Sequence, residues 1–224
     1  KENKKFKLVS ESFDGKSIIE NLLKGDTKGN ILKVFKKFNS EIILNFDHFF
    51  IDGKHYLKKI RGNLVIKNNK IRYGNISAKL NNISDFNLNI KTNSKNEKIT
   101  NLFIDEPEPF VKHYKFIKGF KEGNLVYNSL EKNGISKSKL KIFDFKVKEV
   151  PVLAKILTLA SLQGIADLLT GEGIRFNEFE MKFKNENKLM TIDEIYAIGP
   201  AISLMMDGYV QKDKLISLRG TLVP

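Results

Sequence analysis

The sequence predicts an α+β chain built on a predominantly antiparallel, strongly curved open β-sheet, a groove or half-barrel, with a few short helices. Three observations lead there. Apolar residues alternate with polar ones in segment after segment, the period of a one-sided strand. The stretches that keep helical spacing instead are short and few. Those helices cannot cover a whole sheet face, so the apolar strand faces must close on themselves, pack on another sheet, or line a groove.

Residues 1–40 read as an N-terminal helical segment of a single domain spanning 1–224. Residues 1–12 are charged and weakly patterned, and Phe13-Asp14-Gly15 leads into Ile18, Ile19, Leu22 and Leu23 at helical spacing, ended by Gly25. Ile31, Leu32, Val34, Phe35 and Phe38 predict a second helix. From 41 to 148 runs a first strand series. Ile42, Leu44, Phe46, His48 and Phe50 share one strand face opposite Asn45 and Asp47. Gly62 to Lys67 and Lys70 to Leu80 form a hairpin about Asn68-Asn69, since asparagine tolerates left-handed turn positions. Phe86, Leu88 and Ile90 alternate with Asn87, Asn89 and Lys91, and Ile99 to Ile104 is a further strand. A helix over about 106–118 starts at Asp105-Glu106-Pro107-Glu108-Pro109, where acidic groups and prolines suit a first turn. Strands resume at Gly123 and from Lys137 to Val147.

Residues 149–170 form an apolar helical segment, opened by Pro151 and broken by Gly164. Lys155, Gln163 and Asp167 inside it, with the break at Gly164, leave it short of the roughly 20 predominantly apolar residues of a membrane span. Over 171–224 a second strand series carries Ile174 and Phe176 on one face and Phe179, Met181 and Phe183 with shifted parity, which predicts a bulge near Asn177-Glu178. Leu189 to Ile198, a Gly199-Pro200 turn, Ile202 to Val210, and Leu215 to Leu222 complete it. Gly-x-Leu recurs at Gly62, Gly123 and Gly220, each read as the start of a strand.

Composition narrows the chemistry. With 41% hydrophobic and 29% charged residues the chain is globular and able to bury a core. Zero cysteine excludes disulfides and thiolate catalysis and is compatible with the cytosol or a bacterial periplasm. The net charge of +13 raises nucleic acid as a partner, but the only arginines are Arg61, Arg72, Arg175 and Arg219, and the lysines are dispersed. No nucleic-acid partner is therefore expected, while attraction to anionic lipid headgroups stays open. His48, His55 and His113 are scattered, and no phosphate loop, nucleophile elbow or metalloprotease motif occurs. The expectation is a protein that is not an enzyme, with no cofactor and no metal.

The apolar strand faces carry the functional question. In the first series they comprise Ile42, Leu44, Phe46, Leu64, Ile66, Ile76, Leu80, Phe86, Leu88 and Ile90; in the second, Phe176, Phe179, Met181, Phe183, Leu204 and Met206. They are either ordinary core or the lining of a trough for acyl chains. Each buried methylene of a lipid tail contributes about 0.8 kcal/mol, so a plain apolar channel would hold lipid without a specific polar site. Periodicity does not separate the two.

Five stretches stand out together: Glu149 to Leu157 with Pro151 and Leu153, Ala160 to Ile165 with Ser161, Leu162 and Gly164, Leu168 to Phe176 with Gly171, Gly173 and Phe176, Gly199-Pro200-Ala201, and Leu218 to Pro224 with Gly220, Thr221 and Pro224. They resemble the C-terminal region of AsmA-like proteins, the YhdP and TamB types included, and most closely their alphaproteobacterial branch. The likeness is strongest over 135–224 and follows the family's order upstream. The resemblance implies a fragment of a longer periplasmic protein of a Gram-negative bacterium, anchored in the inner membrane by an N-terminal helix. It further implies a long curved sheet with a hydrophobic groove that carries phospholipid towards the outer membrane, with other envelope proteins as partners. The alternative expectation is a structural or protein-interaction module of the envelope with a filled core.

Overall fold

A computed structural model describes residues 3–17, 39–68, 70–112, 118–149, 173–211 and 215–223. The class is mostly β, not α+β with several helices. The helices expected near 18–23 and 31–38 lie outside the described residues, as does 150–170 of the segment expected to be helical over 149–170, whose first residue, Glu149, ends a strand. Of the helix expected over 106–118, the structure places α1 at Glu108–Val111, with residues 113–117 outside the description. The chain falls into two compact units, Lys1–Asp105 and Glu106–Pro224, and the boundary lies inside the expected first strand series.

Unit 1 is an open sheet of β1 (Asn3–Asp14), β2 (Asn39–Phe50), β3 (Tyr56–Lys67), β4 (Lys70–Leu80), β5 (Ser84–Thr92) and β6 (Lys98–Asp105), in sequence order. The N-terminal stretch, expected to be helical, is strand β1 over residues 3–14. Its own pattern is weak, with Phe6 and Leu8 opposite Lys5 and Lys7. A distant partner decides its state: β1 runs parallel to β2, setting Phe6 beside Ile42 and Leu8 beside Leu44. Residues 15–38 join the two, long enough for the crossover that a parallel pair requires. The other pairs of unit 1 are antiparallel. The Asn68 turn holds as read, with Lys67 facing Lys70 and Asn68 at φ 51. Asn81, Asn82 and Asn96 also adopt positive φ between strands, the use to which an asparagine-rich sequence is suited.

Unit 2 contains α1, β7 (Lys118–Lys132), β8 (Ile135–Glu149), β9 (Ile174–Glu186), β10 (Leu189–Ile198), β11 (Ser203–Gln211) and β12 (Leu215–Val223), all antiparallel from β7 onwards. Asn133-Gly134, with φ 52 and 81, closes the β7–β8 hairpin. The parity change expected near Asn177 is present, but no residue is inserted in β9. The buried and half-buried apolar residues switch parity in three strands at one level: Phe120 to Leu125, Ile142 to Phe145, and Phe176 to the half-buried Phe179. Gly123, Asp144 and Asn177 stand in line there, and the pairs on either side keep one register. Glu122, Gly123 and Asp144 take left-handed φ of 63, 82 and 51, so the strands turn together and no strand needs an extra residue. The true insertion is in β10, where the register slips between Ile192 and Glu194.

The Gly-x-Leu glycines do not start strands. Gly62, Gly123 and Gly220 sit inside β3, β7 and β12, where a neighbouring backbone comes too close for a side chain. A Cβ on Gly62 would meet the Asn75 carbonyl oxygen at 2.1 Å and Ile76 Cα at 2.8 Å. Gly62→Ala is therefore expected to destabilise unit 1 by about 1–3 kcal/mol. The check is urea denaturation, with the midpoint falling at constant slope; an unchanged midpoint would show that β3 and β4 separate freely.

Candidate functional site

Cross-strand register decides which side chains share a face. In unit 1, Leu44, Gly62, Ile76, Leu88 and Leu102 are direct neighbours from β2 to β6. A second line joins Ile42, Leu64, Gly74, Ile90 and Thr100, and Ala78, Phe86 and Ile104 form a third beside Phe46 and Ile60. Ile66 and Leu80 cap the two ends of this face, opposite Ile71 and Ser84. All ten residues assigned to the apolar face of the first series thus lie on one side of one sheet. Ile42, Phe46, Ile66, Leu80 and Ile90 are buried, whereas Leu44, Leu64, Ile76, Phe86 and Leu88 are half-buried. The Leu44–Gly62–Ile76–Leu88–Leu102 line is half-buried along its whole length.

In unit 2, Phe176, Phe179, Met181, Phe183, Leu204 and Met206 also come together. Phe145 stacks between Phe120 and Phe176, at centroid distances of 5.3 and 5.4 Å, and meets Phe179 edge-on at 6.5 Å. Phe183, Ile192 and Ile195 form the adjoining core, with Met181, Leu204 and Met206 packed on it. Leu204 and Met206 face Leu222 and Gly220, so this apolar face runs on to β12, where Ile216 is 62% exposed. A depression of about 530 Å³ in this unit is lined by Lys137, Ser138, Lys182, Phe183, Lys184 and Asp193. It is rimmed by charge, and Phe183 is the one expected lining residue that borders it.

Of the residues carrying the family resemblance, Pro151, Leu153, Ser161, Leu162, Gly164, Gly171 and Pro224 lie outside the described residues. Gly173 is buried at φ 92, with a Cβ position 2.8 Å from the Val147 carbonyl oxygen. Gly199 donates its N–H to Ile202 at 3.0 Å and closes the turn that carries the exposed Pro200. Gly220 and Thr221 are exposed in β12.

The feature that periodicity missed lies on the polar side of unit 2. Glu180 is 3% exposed, though it stands on the face opposite Phe179 and Met181. Its carboxylate meets Lys141 at 2.8 Å, Lys139 at 2.9 Å and Lys182 at 3.4 Å, and accepts a hydrogen bond from the Tyr196 hydroxyl at 3.3 Å. Glu178 accepts from Lys141 and Tyr196, and Glu194 from Lys182. Burial pushes the Glu180 carboxyl up, but hydrogen bonds and charge from Lys141 and Lys139 outweigh it and hold the group at about 2. Lys141 is raised in turn by its bonds to Glu180 and Glu178. The clue was present as Lys-x-Lys in β8 opposite Glu-x-Glu-x-Lys in β9, but only the register joins them. The arrangement binds strands together, and no reacting group projects from it.

His55 lies within 3.0 Å of Asp52 across a tight turn, and His48 contacts the Glu11 carbonyl at 3.3 Å; His113 lies outside the described residues. Among the described residues no three His, Asp or Glu side chains converge as metal ligands, and no helix is long and apolar enough to cross a membrane. No family model, no curated protein and no solved structure matches this chain.

Proposed function

We propose that this chain is a non-enzymatic segment of a lipid-transfer protein of the bacterial envelope, whose apolar strand faces shield phospholipid acyl chains between inner and outer membrane. In this reading the apolar face of each unit, taken by itself, is a surface for acyl chains, of the AsmA-like kind that the 149–176 and 199–224 sequences resemble. The observation that carries it is the half-buried apolar line Leu44–Gly62–Ile76–Leu88–Leu102, flanked by lines with buried members. A filled core leaves no accessible strip across five strands, whereas a trough floor does. Gly62 and Gly74 remove side-chain bulk along and beside that strip. Each methylene laid there gains about 0.8 kcal/mol, enough for a tail to bind without a polar anchor.

The test is lipid extraction and mass spectrometry on the gently purified chain. Co-purifying, exchangeable phospholipid is expected, reduced several-fold by Leu88→Asp, which sets a charge in the strip. A dry interior with no phospholipid would overturn the reading. The exposure of Leu215 (50%), Ile216 (62%) and Leu218 (43%) on β12 favours the second reading, an envelope interaction module that pairs through this sheet edge. That reading gains if lipid is absent and the chain self-associates in a manner abolished by Leu218→Lys.

A further inference from the structure

We infer that the outer face of unit 1 is a binding platform for a neutral oligosaccharide, built on an asparagine ladder. Asn63 of β3, Asn75 of β4, Asn89 of β5 and Asn101 of β6 are direct cross-strand partners in one unbroken line. They occupy the side opposite Leu64, Ile76, Leu88 and Leu102, so the platform and the apolar strip are back to back in the same sheet. Strands lie about 4.8 Å apart, which makes the ladder about 14 Å long. Asn75 and Asn101 are exposed, and Asn63 and Asn89 are half-buried.

The turn asparagines of this unit are engaged: Asn81 accepts from the Tyr56 N–H, and Asn93 donates to Glu97. The ladder amides make no side-chain hydrogen bond among the described residues. Each amide offers two donors and an acceptor, which matches hydroxyls that both donate and accept. The ladder itself holds no ionisable residue. In the line on one side Arg61 is held by Asp47 at 2.8 Å, and Ser77 and Asn87 add neutral polar groups; in the line on the other side the exposed Lys91 stands beside Tyr73. Two half-buried aromatic side chains flank the ladder on this face. Tyr73 is two residues before Asn75 in β4, and Phe103 is two residues after Asn101 in β6. They offer apolar surface to the C–H faces of sugar rings.

Other occupants fit less well. An anionic polymer requires cations where the ladder has amides. An apolar ligand would strip water from amides and leave them unpaired. A peptide strand adds to a sheet edge, and this is a face. A rigid row of neutral donors and acceptors bounded by aromatic rings is the chemistry of sugar recognition, and it is independent of whether the opposite face holds lipid.

The test is an NMR titration of the whole chain with chitotriose, cellotriose and maltotriose, each to about 10 mM, a range that reaches weak binding. At least one sugar is expected to shift the side-chain amides of Asn75 and Asn89 saturably, with an affinity insensitive to salt. Asn75→Ala with Asn89→Ala should weaken that binding at least about tenfold. Asn75→Thr with Asn89→Thr raises strand propensity and guards against a variant that fails to fold. If the folded threonine variant binds as well as the parent, the proposal falls. It falls equally if no sugar gives a saturable shift, or if added salt abolishes the shift.

Discussion

Phe145→Ala is expected to destabilise unit 2 by about 3–5 kcal/mol, the range for truncating a well-packed buried phenylalanine. Phe145 is 6% exposed and its ring touches three others, Phe120, Phe176 and Phe179, from two adjacent strands. Its position also follows the level at which β7, β8 and β9 change faces together. Removing the ring therefore opens a cavity where the backbone is already in left-handed conformations at Glu122, Gly123 and Asp144. A thermal midpoint lower by roughly 10–20 °C is the expected readout. Hydrogen exchange should place the loss in β7 to β9, and Phe145→Leu should cost markedly less. A loss below about 1 kcal/mol would mean that the aromatic stack is not the core of this unit.

Glu180→Gln is expected to cost about 2 kcal/mol at neutral pH. Breaking a fully buried ion pair costs roughly 3–5 kcal/mol, because the surviving charge is stranded. Here the survivors, Lys139, Lys141 and Lys182, have side chains 43%, 28% and 45% exposed, so they can recover water and the cost is smaller. The same residue sets an acid limb. Its folded carboxyl is held at about 2, against an ordinary value of 4.5. The lowered group contributes its stabilisation in full above the unfolded value. That contribution is lost as pH falls from 4.5 towards 2, because the unfolded chain takes up the proton first. Denaturation midpoints across this range should fall steeply in the parent and less steeply in Glu180→Gln. Parallel curves would remove Glu180 from the account.

Much of the strand content was legible because a one-sided strand writes its period into the chain. Phe86-Asn87-Leu88-Asn89-Ile90 could be placed from those five residues, and its two faces are occupied as read. The Asn68 turn was legible because few residues accept positive φ. β1 was not, since Phe6 and Leu8 gain strand character from Ile42 and Leu44, more than thirty residues away. The Gly-x-Leu motif misled for a related reason: Gly62 is small because Asn75 of the next strand presses on it. The ten apolar residues of the first series were found individually, but their union into one face needed the register. The Glu180 cluster and the asparagine ladder were invisible for the same cause, as each consists of residues on three or four different strands.

The sequence by itself determined that the chain is rich in strands and, where alternation is clean as in β5, which residues lie on the apolar and which on the polar side. These are local properties, set by alternation and by the few residues that tolerate turns. The tertiary structure alone decided which strands stand side by side, that β7, β8 and β9 change faces at one level, and which polar groups meet across strands. Those depend on cross-strand register, a relation between distant segments in which a slip of one residue reverses every side chain. The half-buried apolar strip, across β2 to β6, and the asparagine ladder, across β3 to β6, are both products of that register, on opposite faces of the same sheet.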